Sequence, residues 1–131
     1  MDLYNRYKKE ITDDLKFDAF NLKETAMLVP SKKHFWIARL NDHRILAAEL
    51  KTKKVKIIKS LLEKAEASSP VKLSKANLEK MLEEMPEMLD LDAKIAEQEH
   101  LIKYLEDSKW VFASFTDDVK NAIETTKLEQ L

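Results

Sequence analysis

Residues 91–123 read LDAKIAEQEHLIKYLEDSKWVFASFTDDVKNAI. Leu91, Ile95, Ile102, Leu105, Phe112, Val119 and Ile123 fall on one helical stripe. The pattern is close to a heptad, interrupted by Gln98, Lys109 and Thr116. The spacing predicts a helix from about Asp92 almost to the end of the chain.

Working back towards the N-terminus, the same period predicts four more helices and no strands. The first covers roughly 2–15, with Leu3, Tyr7, Ile11 and Leu15 at helical spacing. Asp18 is placed to cap a short second helix carrying Leu22, Ala26 and Val29, which Pro30 is expected to end. Ser31 then caps a long third helix running to about Glu66. The polar stretch ASSPVKLS (67–74) reads as a linker, and Ser74 caps a short helix that stops before Pro86.

The fold class expected is all-α: one elongated helical domain over 1–131, with two long helices and short capping helices. Its basic N-terminal helices occupy 1–66, and its acidic C-terminal helices occupy 75–131. A helix over 31–66 is about 54 Å long at 1.5 Å per residue. A compact domain of this size is only roughly 36 Å across. The molecule is therefore expected to be elongated or to assemble, and the long apolar stripe, Leu91 to Ile123, favours an oligomer.

Composition removes several function classes. The chain has 131 residues, 36% of them charged, with no glycine and no cysteine. Without glycine there is no Walker loop, dinucleotide fingerprint or nucleophile elbow. Without cysteine there is no disulfide framework, thiolate nucleophile or zinc knuckle. MDLYNRYKKE lacks the apolar run of a signal peptide, and no stretch approaches the roughly 18 apolar residues of a membrane span. A soluble intracellular protein without cofactors is expected. Glu97 and His100 have the Glu-x-x-His spacing of di-iron bundles, but neither His34 nor His43 has a glutamate three residues earlier, so no metal site is expected. Acidic residues occur as surface doublets, and no catalytic constellation is apparent.

The charge is unevenly placed. Net charge is -1 overall, yet residues 1–66 carry +5 and residues 32–64 carry +7. Residues 50–64, LKTKKVKIIKSLLEK, thread Lys51, Lys53, Lys54, Lys56 and Lys59 through an apolar arc. Lys54 lies inside that arc, where it must snorkel or face a partner. One reading is a solvated face with Glu49–Lys53 and Lys59–Glu63 pairs, leaving Lys51, Lys54 and Lys56 without local partners. The other is a phosphate surface, extended by Lys32, Lys33, Arg39 and Arg44. In SKKHFWIAR (31–39), basic residues mix with Phe35 and Trp36, as in proteins that stack single-stranded bases; core anchoring by the two rings is the alternative.

Several ordered pieces resemble the UvsY family of recombination mediators from tailed phages. They are FDAFNL leading into a helix, the Trp36 position, the Lys53–Lys54–Val55 run, and MLDLDAKI followed by the apolar pattern through Ile123. The resemblance implies a non-enzymatic, all-helical protein acting in the cytoplasm of an infected bacterium. It implies binding of single-stranded DNA, displacement of single-strand-binding protein and loading of the phage recombinase. It also implies a ring-shaped homo-oligomer, a hexamer or heptamer, with Lys59 and Lys56 as the best-matched DNA contacts. The family's Lys and Arg two residues apart, followed by paired tyrosines, are replaced here by Ile58, Lys59 and Ser60, then Lys64 and Ala65. A scaffolding coiled-coil oligomer without specific DNA binding is the other reading of the same sequence.

Overall fold

A computed structural model describes residues 2–68 and 75–130. Four α-helices and no strand occur among them: α1 (Asp2–Asp14), α2 (Leu22–Ser68), α3 (Lys75–Glu83) and α4 (Pro86–Glu129). The chain divides into two compact units. One comprises the residues up to Asp42 together with those from Leu101; the other is His43–His100. The all-α expectation holds. Of the expected linker, residues 67 and 68 continue α2, while 69–74, with Pro70 and the cap expected at Ser74, lie outside the described residues.

Two boundaries differ from the sequence expectation, and both involve proline. Pro30 does not end a helix; α2 runs straight through it. Proline cannot donate to the Ala26 carbonyl and costs about 3 kcal/mol inside a helix. Burial on both sides offsets this: Leu22, Thr25 and Val29 precede it, and Trp36 and Leu40 follow. Ser31 is therefore an interior residue, not a cap, and its hydroxyl donates back to the Leu28 carbonyl at 2.9 Å. Pro86, in contrast, starts α4, six residues ahead of the expected Asp92. Its fixed φ suits the first helical position, where no N–H is needed. The Leu89 amide donates to the Met85 carbonyl at 2.9 Å, closing the first turn.

With no glycine, the start of α2 is built from side chains. Asp18 Oδ1 accepts from the Phe20 and Asn21 amides at 2.8 and 3.1 Å. Asn21 Oδ1 accepts from the Asp18 amide at 3.0 Å. This reciprocal pair works like a capping box, and α2 follows directly. No described residue adopts a positive φ.

In the first unit, Tyr7 and Ile11 of α1 pack with Trp36 and Leu40 of α2 and with Leu101, Leu105 and Phe112 of α4. A second cluster joins Val29 to Phe115 and Val119, with Leu15, Ala26 and Ile123 at its edge. In the second unit the buried apolar side chains are Ala47, Leu78, Leu82, Met88, Leu91 and Ile95. Full burial of such a side chain stabilises by roughly 1.5–3 kcal/mol. Gln98 interrupts the α4 stripe for a reason: its Oε1 lies 2.7 Å from Nδ1 of the buried His43.

The residues assigned from sequence to contacts between copies are thus committed within the chain. Leu91, Ile95, Leu105, Phe112 and Val119 are buried, and Ile102 and Ile123 half-buried. The stripe is core first, because α2 carries a matching seam that includes Val29, Trp36, Leu40 and Ala47.

Replacing Pro30 with alanine restores the missing backbone donor. The expected gain in unfolding free energy is about 1–3 kcal/mol, read as a higher urea midpoint at unchanged m-value. A lower midpoint would show that packing depends on the proline.

Candidate nucleic-acid interface

The lysine run occupies α2 in the second unit. Leu50, Ile57, Ile58 and Leu61 are half-buried, so the residues flanking that seam are drawn towards α4. Lys54 Nζ reaches Asp92 Oδ1 at 2.6 Å, and Lys51 Nζ reaches Glu99 Oε1 at 2.9 Å. Both pairs are substantially exposed, so each contributes about 0–1 kcal/mol. Their larger effect is to sort the lysines.

That sorting inverts the local reading of the sequence. The expected Glu49–Lys53 and Lys59–Glu63 pairs do not form. Lys53, Lys56 and Lys59 are exposed and make no ion pair among the described residues. They stand at i, i+3 and i+6, with an axial rise of about 4.5 Å per step. Lys53 and Lys56 border a shallow depression of about 530 Å³ with Ile45, Ala48, Glu49 and Thr52. Ile45 and Val55 leave apolar surface open beside them.

The chemistry on offer is simple: cations spaced for phosphate oxygens, aliphatic surface and one hydroxyl. Residues 43–100 contain no Phe, Trp or Tyr. Base stacking is therefore unavailable to this unit's own side chains, and lysines without an arginine fork read no base edges. Any phosphate binding here is sequence-neutral.

The mixed basic and aromatic stretch 31–39 is otherwise employed. Trp36 is 4% exposed, and its Nε1 donates to Asp14 Oδ2 at 2.8 Å. Lys32 pairs with the other Asp14 oxygen at 3.6 Å. Arg39 donates to Glu10 Oε2 at 2.6 Å and lies 4.0 Å from the Phe35 ring centroid, 4.9 Å from those of Tyr7 and Trp36. These contacts clamp α1 to α2. Burial pushes the Tyr7 phenol above its ordinary pKa, opposed by the Arg39 charge. Lys33 is half-buried and Arg44 exposed. The most open rings are Phe20 and Trp110, at 99% and 78% exposure. Sequence reasoning passed over Trp110, whose only signal was its place off the apolar stripe.

Glu97 and His100 are both exposed, and no group of three or more metal-ligating side chains converges among the described residues. No described helix is long and apolar enough to cross a membrane.

Asp14 carries two contacts at once, so Asp14→Ala leaves the Trp36 N–H buried and unpaired. A loss of about 1–3 kcal/mol in unfolding free energy is expected from chemical denaturation. An unchanged midpoint would remove Asp14 from the clamp.

No protein-family model and no curated protein sequence matches the chain. Among solved structures, the bacteriophage T4 recombination mediator protein UvsY in lattice type IV superposes with a TM-score of 0.82 at 14% identity, covering 95% of this chain and 97% of that one. The same protein in lattice type I gives 0.81 at 14% identity, over 93% and 97%. At this identity the likeness is one of fold, and the chain shares the fold of UvsY.

Proposed function

We propose that this chain is a recombination mediator that binds single-stranded DNA, helps displace single-strand-binding protein and loads a recombinase, with no chemistry of its own. The observation that carries the reading is the unpaired row Lys53, Lys56, Lys59, on a fold shared with a recombination mediator protein. Each lysine neutralises one phosphate weakly, and salt competes with it. A homo-oligomeric ring would present the row several times to one strand, multiplying affinity through effective concentration. A strand held by its backbone keeps its bases free, as transfer to a recombinase requires. Lys51 and Lys54 support this surface by tying α2 to α4, while Lys32 and Arg39 serve the α1 clamp.

The test is affinity for a single-stranded oligonucleotide across a salt series, with duplex of equal length as control. Single-strand preference with a steep salt slope is expected. Replacing Lys53, Lys56 and Lys59 together with alanine should flatten the slope by about 2 per protomer engaged, at about 0.7 per phosphate. The thermal midpoint should hold. Lys51→Ala with Lys54→Ala should affect the slope less. No binding by the wild-type protein at low salt would leave the scaffolding oligomer as the better description.

A further inference from the structure

The first unit has a second surface with different chemistry. α1 covers one flank of the α2–α4 pair there, through Tyr7, Ile11 and the Asp14 and Glu10 contacts. The opposite flank is open. It holds a depression of about 500 Å³ floored by Val29, Val119 and Ile123, and a narrower one of about 120 Å³ beside Phe112; the two meet at Lys33. On α4 the lining runs from Leu105 to Lys127, about 33 Å of helix at 1.5 Å per residue.

The rim is basic. Lys33, Lys109, Lys120 and Lys127 border the groove against a single carboxylate, Glu124. None of the four lysines makes an ion pair among the described residues. We infer that this groove receives an acidic amphipathic helix from a different protein. Apolar side chains of such a helix at i, i+3/4 and i+7 would enter the aliphatic floor, and its carboxylates would meet the lysine rim.

Two other occupants fit less well. A strand held by its backbone gains nothing from an aliphatic floor, and the Trp36 and Phe112 rings of the narrow depression, 4% and 3% exposed, are closed to stacking. A helix from a second copy would need a free apolar stripe. The open apolar side chains of α2, Phe35, Ile45 and Val55 among them, lie on a stretch (32–64) that carries +7, which the lysine rim repels. The inference is independent of DNA binding, because the lysine row lies in the other unit.

The probe is a fluorescein-labelled designed peptide of about 20 residues, roughly 30 Å as a helix, with leucines on one face and glutamates elsewhere. Its anisotropy is followed on titration with the full-length protein. Saturable binding is expected, with a sequence-scrambled peptide at least about tenfold weaker, since it lacks the stripe. Lys120→Glu with Lys127→Glu, and separately the groove-filling Ala26→Trp, should each weaken the peptide about tenfold or more while oligonucleotide affinity stays unchanged. The proposal is overturned by absent binding, by equal binding of the scrambled peptide, or by indifference to both variants. Displacement of the peptide by oligothymidylate would assign the groove to nucleic acid. A smaller particle by light scattering on adding peptide would assign it to a second copy.

Discussion

An apolar side chain every three to four residues along α4 has to be covered, and α2 carries the seam that covers it. Most of the remaining structure follows from this pairing. It places Trp36, Leu40, Leu105 and Phe112 in one cluster and Val29 with Val119 in another. It makes a helix-interior proline tolerable, because residues on both sides of Pro30 are buried against a partner. It also sets the electrostatics. Lysines beside the seam meet α4 carboxylates, and lysines on the outer face keep their charge for solvent or for a ligand.

The sorting is a geometric filter on composition. Five lysines between residues 51 and 59 look equivalent in a charge count. Two are neutralised across the helix pair, and three remain as a row. A phosphate chain would meet that row, not the full charge of the segment. Aliphatic surface beside it and the lack of rings in residues 43–100 keep the chemistry indifferent to base identity. On the other unit, the same residue type borders an aliphatic groove, for which an acidic helix is the inferred ligand.

The all-α class and the α4 stripe were legible because they rest on periodicity, which local sequence carries directly. Pro30 was misread because its penalty is local, while the burial offsetting it comes from residues some 85 positions away, Phe115 and Val119. The start of α4 was misplaced since Pro86 reads as a stop when the preceding helix is considered alone. Lys51 and Lys54 could not be paired from sequence, because Glu99 and Asp92 lie far along the chain. Lys54 alone gave a sign of its partner, by standing within the apolar arc. Phe35 and Trp36 among basic residues suit a base platform as well as a core anchor, because basic and aromatic residues side by side also describe a helix clamp. Asp14 and Glu10, which decide between the two, belong to another helix.

The distribution of aromatic side chains also divides the molecule optically. All ten Phe, Tyr and Trp residues lie outside 43–100. Absorbance and emission in the near ultraviolet therefore arise entirely from the first unit, from three tyrosines, a buried Trp36 and an open Trp110. The second unit is spectroscopically silent. A strand lying along its lysine row would leave stacking-type quenching unobserved, and loss of near-ultraviolet dichroism on heating would chart the melting of the first unit alone. A single tryptophan introduced on α2 beyond residue 43 would make the dark half visible.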